Sequence, residues 1–199
     1  ERELKGTGMR SYVVPYGGSN VIGMMGYVAA IEEIVEQMKT VGEFDAHVFA
    51  TSSGGTQAGM ILGAHLTSLL TRTRLLGISV DEQASLLSQR IANLVNDGAR
   101  QLGSAWRVND DVADINDGYI GGGYAVIGAP EREAIQLMGR LEGILVDPVY
   151  TGRALAGLID LIRHGEFQAG QRVLFWHTGG SAALFAFADE IVSTDSLST

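Results

Sequence analysis

The chain contains no cysteine, which excludes disulfides, thiolate nucleophiles and thiolate metal sites and fits a reducing compartment. The cytoplasm is the expected location. Lysine is nearly as scarce, with Lys5 and Lys39 the only examples, and 23 acidic side chains outweigh 14 basic ones to give a formal net charge of −9. No nucleic-acid partner is expected, because neutralising a phosphate backbone needs clustered Lys and Arg. Any anionic ligand must be held locally. No apolar run reaches the roughly 18 residues that suggest a membrane span. The richest stretch, Val21 to Ile34, is interrupted by Gly23, Gly26, Glu32 and Glu33, so no membrane partner is expected. The start, Glu1-Arg2-Glu3-Leu4-Lys5-Gly6, is unlike a signal peptide and lacks Met, which suggests a fragment or a processed chain.

What is present describes one folded domain: 199 residues, 46% hydrophobic and 19% charged, enough to bury a core without metal or disulfide staples. The 27 glycines sit at the ends of apolar runs, where they punctuate secondary structure. Ala46 to Ala50 reads as a buried strand, Ser52-Ser53-Gly54-Gly55 as a turn, and Thr56 to Leu70 as a helix. The unit recurs with a strand over Arg74 to Val80 and a helix from Asp81 to about Leu102. It recurs again with a strand over Arg172 to His177, the turn Thr178-Gly179-Gly180, and a helix over Ser181 to Val192. Further helices are expected from about Pro130 to Leu141 and from about Gly152 to His164, while Asp117 to Tyr124 is too Gly-rich for a regular element. Strands alternating with helices predict an α/β fold, a three-layer parallel sheet with helices on both faces, and ligands at the carboxyl ends of its strands.

Several segments could carry chemistry. Ser52 to Gly59 follows a strand and opens a helix, so its N–H groups and the helix dipole can face an anion, with Ser53 and Thr56 adding hydroxyls. Without a lysine in the loop, and without the G-x-G-x-x-G order, a phosphate monoester fits better than a nucleotide polyphosphate. An ordinary capped turn is the competing reading. His177-Thr178-Gly179-Gly180 places Thr178 at a second strand end, although His177 is equally readable as a packed histidine. His47, His65 and His164 are scattered without ligand spacing, and no metal site is expected. Thr151 reads as a possible N-cap. Tyr119, Tyr124 and Tyr150 are each readable as packing residues, but together they suggest a flat ligand.

The ordered series Pro15-Tyr16-Gly17-Gly18-Ser19-Asn20, Ser53-Gly54-Gly55-Thr56-Gln57-Ala58-Gly59, Gly121 to Tyr124, Asp147-Pro148-Val149-Tyr150-Thr151-Gly152 and His177-Thr178-Gly179-Gly180 resembles the family of D-cysteine desulfhydrase and 1-aminocyclopropane-1-carboxylate deaminase. These are pyridoxal-phosphate (PLP) enzymes of the tryptophan-synthase-β fold type. The resemblance runs from about Gly8 to Ile191. It implies that Ser53, Gly54, Gly55, Thr56 and Gln57 bind the cofactor phosphate, that Tyr150 stacks on the pyridine ring, and that Tyr124 stands beside cofactor and substrate, making Tyr124 and Tyr150 the candidate catalytic residues. In the deaminase, a glutamate and a leucine occupy the positions of Thr151 and Thr178. A carboxylate keeps the pyridine nitrogen protonated, whereas a threonine hydroxyl can hydrogen-bond to an unprotonated one, so this chain resembles the desulfhydrase.

The resemblance also implies a lysine that binds the cofactor covalently, followed by a Ser-Asn-His loop, and neither is found here. Lys5 precedes the matched motifs and Lys39 lies in an expected helix beside Glu32, Glu33 and Glu36. Residues 1–199 therefore read as most of the large cofactor-binding domain, the C-terminal portion of a longer enzyme with its small domain mostly absent, and this chain alone is expected to be inactive. The expected activity of the whole is α,β-elimination of D-cysteine to pyruvate, ammonia and hydrogen sulfide. L-Cysteate sulfo-lyase and the deaminase are alternatives, as is a non-catalytic module that binds a phosphate ligand. Expected partners are a small amino-acid substrate, the missing N-terminal portion and, in a homodimer, a second copy.

Overall fold

A computed structural model describes residues 12–192. Lys5 lies outside them. Its centre is a four-stranded, fully parallel sheet in the order β3-β2-β1-β4, built from β1 (Ala46–Thr51), β2 (Arg74–Ser79), β3 (Asp114–Asn116) and β4 (Val173–Phe175). Alternation along β1 explains how one strand feeds two cores. Phe49 joins a cluster with α1 (Val21–Val41), α2 (Gly55–Leu66) and α3 (Ala84–Gln101) on one face. Val48 and Ala50 join α4 (Ala129–Leu141) and α5 (Thr151–Arg163) on the other. The result is the expected three-layer α/β architecture with helices on both faces.

The differences from expectation have local causes. Helix α2 stops at Leu66, before Leu70, because the Thr67 hydroxyl donates to the Gly63 carbonyl (2.8 Å) and Ser68 turns left-handed at φ 59°, which lets Leu69 fold back into the core. Helix α3 begins three residues later than Asp81, since Ser79 Oγ and the Glu82 backbone close a turn first. The helix expected over Ser181 to Val192 is a 3-10 segment, Ser181–Phe187, with α-helical turns only in α6 (Ala188–Val192). Phe185 is 87% exposed there, so the segment has little apolar cover to hold it as a regular helix. Glycine does more than punctuate. A Cβ at Gly59 would stand 2.3 Å from the Met24 carbonyl oxygen and one at Gly63 2.9 Å from the Ile31 Cβ, so these positions let α1 and α2 approach closely.

His47 on β1 is fully buried between Phe44 and Trp176, both 5.9 Å away between ring centroids, and neither ring nitrogen has a partner among the described residues. Burial alone pushes its pKa down to about 4. The neutral ring is the one that fits, so the unfolded chain takes up a proton below about pH 6.5 while the folded chain resists until about pH 4. Stability attributable to His47 is therefore complete above pH 6.5 and is lost on acidification through that window, by about 3 kcal/mol at most. Urea denaturation at pH 7 and pH 4.5 should show this loss, and His47→Leu should reduce it.

Candidate active site

The phosphate-loop candidate forms where β1 ends and α2 begins. Gly54 occupies the left-handed region at φ 90°, the turn from which α2 starts. The Gly55 N–H donates to Ser19 Oγ (3.0 Å), and Ser19 Oγ donates to Ser53 Oγ (2.7 Å). A Cβ at Gly55 would lie 2.5 Å from Ser19 Oγ, so the Pro15-to-Asn20 loop closes directly over this turn. The amides of Thr56 and Gln57 have no acceptor among the described residues. Unclaimed amides at the positive end of a helix, in a turn that also carries the hydroxyls of Ser53 and Thr56, fit a phosphate monoester. Gln57 turns its side chain away from the turn. Its side chain is fully buried and donates from Nε2 to the Asp114 carbonyl (2.9 Å), bracing α2 to β3, which leaves the backbone amide as the group of Gln57 that can face an anion.

The second half of the site is built by Asp147. Its Oδ2 accepts from the N–H groups of Val149 and Tyr150 (both 2.8 Å), and its Oδ1 accepts from Thr151 N (2.6 Å) and Thr151 Oγ1 (2.7 Å). Thr151 Oγ1 in turn accepts from Asp147 N (2.9 Å). The carboxylate thus caps α5 and fixes the direction of Tyr150. Thr151 is not the cap, and its hydroxyl proton is already given to Asp147 in a fully buried position. Asp147 also seats the last loop, since a Cβ on Gly180, whose φ is 92°, would come within 2.6 Å of its Cγ. Thr178, two residues earlier in that loop, is exposed, and its hydroxyl is free of any partner among the described residues. His177 is exposed rather than packed. Its Nε2 donates to the Leu145 carbonyl (2.8 Å) and its Nδ1 accepts from Gly179 N (3.2 Å), which holds the loop's shape.

Tyr124 and Tyr150 meet hydroxyl to hydroxyl with their rings edge to face, 5.9 Å between centroids. Burial, followed by the Tyr124 contact, raises the Tyr150 phenol above its ordinary value, so Tyr150 is a proton donor at neutral pH rather than a base. Tyr119 does not join them. Its hydroxyl donates to Asp160 Oδ2 (2.8 Å), its ring packs on Gly157, and burial reinforced by Asp160 pushes its pKa up to about 12. Tyr119 is a packing residue.

Arg153 places Tyr124. It is 1% exposed on α5, and its Nε donates to Glu131 (2.8 Å). Its Nη1 donates to the carbonyls of Val80 (2.7 Å) and Gly123 (2.9 Å), and its Nη2 to that of Val126 (2.6 Å). Glu131 also accepts from the Gly128 N–H (2.8 Å), which starts α4. Asp147 and Arg153 were not singled out from sequence. The available signals were an Asp at the head of a turn that opens a helix and an Arg immediately before the small apolar run Ala154 to Leu158. Lys39, on the last turn of α1, pairs with Glu36 on an exposed surface.

The geometry combines a helix N-terminus with unclaimed amides at the carboxyl end of β1 and a paired Tyr124 and Tyr150. Comparison with known proteins gives that geometry a family: residues 2–179 match the model described as pyridoxal-phosphate dependent enzyme, and the chain belongs to that family. It is 40% identical over 191 residues to a protein named putative 1-aminocyclopropane-1-carboxylate deaminase from Pyrococcus horikoshii, covering 96% of this chain and 56% of the relative. It is also 40% identical over 190 residues to the D-cysteine desulfhydrase of Yersinia enterocolitica, covering 94% of this chain and 56% of that protein. A crystal structure described as an ACC deaminase homologue superposes with a TM-score of 0.83 at 38% identity, again over 96% of this chain and 56% of the other. The chain spans a little over half the length of these relatives.

Removing the buried guanidinium should unfasten the Tyr124 loop and leave Glu131 unpaired in the core. Arg153→Ala is expected to lower the unfolding free energy by about 3–5 kcal/mol. Arg153→Lys should recover little of it, because a single ammonium cannot reach the acceptors that the planar fork does. Urea denaturation followed by circular dichroism measures both.

Proposed function

We propose that this chain supplies the cofactor-binding domain of a PLP-dependent lyase that eliminates the β-substituent of D-cysteine, giving hydrogen sulfide, pyruvate and ammonia. The observation that carries the reading is the exposed Thr178 hydroxyl in the Asp147-seated loop, without a partner among the described residues, at a position where the deaminase motif has leucine. The lysine that anchors the cofactor covalently, and the small domain that closes over the substrate, belong to the remainder of the enzyme. Small amino acids are the substrate class, and the assembly is a cytoplasmic homodimer.

The residues divide the work. The amides of Thr56 and Gln57, with the hydroxyls of Ser53 and Thr56, hold the phosphate, and Gly54 and Gly55 leave the backbone bare enough for it to approach. Tyr150, its backbone fixed by Asp147, would carry the pyridine ring against its own. When bound, PLP supplies an electron sink for the carbanion left after α-proton removal. Thr178 would set the strength of that sink by donating to the ring nitrogen instead of protonating it, with Thr151 held back by its bond to Asp147. A hydroxyl donor gives a weak sink, which suffices when a good leaving group departs from the β-carbon. Tyr150, kept as a phenol, and Tyr124 at its hydroxyl can deliver a proton to the departing sulfur.

Deaminase activity is the second reading. Its support is that relatives carrying that name and the desulfhydrase name match this chain equally, at 40% identity. Assays on the complete protein separate the two: sulfide release from D-cysteine against 2-oxobutanoate release from 1-aminocyclopropane-1-carboxylate. The proposal expects the first to dominate, and dominance of the second overturns it. Thr178→Val should lower desulfhydrase turnover by about 10²-fold while the cofactor stays bound, the effect of losing one well-placed transition-state donor. Unchanged turnover in the loaded variant would remove the mechanistic basis for preferring the desulfhydrase.

A further inference from the structure

The site carries a carboxylate that the elimination chemistry does not use. Asp81 stands just beyond the end of β2, where its Oδ2 accepts from Ser52 Oγ (2.8 Å) and from the Tyr16 hydroxyl (3.2 Å). The Tyr16 hydroxyl is also 3.1 Å from Ser52 Oγ, which closes a three-membered hydrogen-bond ring at the side of the phosphate loop. Arg153 brings this ring to the aromatic pair. Its single Nη1 donates to the carbonyls of Val80 and Gly123, at 2.7 and 2.9 Å, so the residues that follow those carbonyls, Asp81 and Tyr124, leave from neighbouring backbone points.

The field of the carboxylate reaches the tyrosines. The Ser52 bond lowers the Tyr16 phenol, but burial and the Asp81 charge outweigh it and the net direction is upward. Burial and Tyr124 lead in raising Tyr150, and Tyr16 and Asp81 add to it. A negative charge that acts on Tyr150 also acts on a ligand lying against that ring. All α-amino acids bring the same ammonium and α-carboxylate, so only the side-chain charge distinguishes how they experience Asp81.

We propose that Asp81, held in place by Tyr16 and Ser52, is a specificity-determining group that favours amino acids with an uncharged side chain over those with an anionic one. This rests on the reading of the site given under Proposed function, and it deepens that reading by setting thiol-bearing substrates above sulfonate-bearing ones such as cysteate. Repulsion between unit charges separated by roughly 8 Å in a partly solvated site corresponds to about a tenfold difference in affinity.

The test uses the complete, cofactor-loaded protein and a ligand pair matched in shape, asparagine and aspartate, each as the D- and L-form. Dissociation constants are read from the change in the cofactor's visible absorbance rather than from turnover. Asparagine should bind more tightly than aspartate, and Asp81→Asn should shrink that ratio about tenfold. Asp81→Glu should restore the ratio, and Tyr16→Phe, which keeps the charge, should hold it within about twofold. A ratio that Asp81→Asn leaves unchanged overturns the proposal, as does a collapse in Tyr16→Phe equal to that in Asp81→Asn. Should Asp81→Asn fail to load, the wild-type ratio decides: it should narrow from 0.02 M to 0.5 M salt, because charge repulsion is screened, and a salt-independent ratio overturns the proposal. Absence of sulfide release from cysteine, with the ratio behaving as expected, counts against the desulfhydrase reading alone.

Discussion

A guanidinium enclosed by protein must have its donors met, and that requirement at Arg153 organises the site. The acceptors it takes belong to segments far apart in sequence: Val80 beyond β2, Gly123 and Val126 in the glycine-rich loop, and Glu131 in the first turn of α4. Because one planar group joins them, the end of β2, the loop bearing Tyr124 and the start of α4 keep a fixed relation to α5. The loop contains a non-glycine residue in left-handed conformation, Ala125 at φ 60°, and Arg153 grips the carbonyls on both sides of it. Strain of that kind persists only where surrounding bonds over-determine the backbone.

The two halves of the cradle are made by different physics. The phosphate half is local: a left-handed glycine, a helix N-terminus and hydroxyls within a few residues of one another. The ring half depends on Asp147, whose carboxylate orders its own turn and also lies beneath Gly180 from the β4 loop. Tyr150 and the Thr178 loop are therefore set by one group, which under the proposed function would connect the face of the cofactor ring with the residue that meets its nitrogen. Tyr16 and Ser19 fasten the entrance loop to the phosphate half through Ser52 and Ser53.

Legibility followed the range of the interactions. The strand at Ala46, the turn at Ser52 and the helices α3 to α5 were readable because periodicity and flanking glycines act within a few residues. The order of motifs carried the family and, with it, the cofactor. Directions of individual side chains were not readable. Gln57 lies in the loop sequence, yet its amide turns inward to Asp114, and Thr151 looks like a cap while Asp147 does the capping. Tyr119 resembled a member of the aromatic group until Asp160, from α5, claimed its hydroxyl. In the case of Arg153 the acceptors are carbonyls, which any residue type supplies, so no sequence pattern marks them.

The central claim is that the unclaimed amides at the head of α2 hold the cofactor phosphate while Tyr150, fixed by Asp147, carries its ring. The crystal structure of the complete protein with PLP bound tests it most directly. The account predicts phosphate oxygens within hydrogen-bonding distance of the Thr56 and Gln57 N–H groups, the Tyr150 ring against the pyridine, and the Thr178 hydroxyl at the ring nitrogen. A phosphate held by another segment, or a pyridine ring lying away from Tyr150, would contradict it.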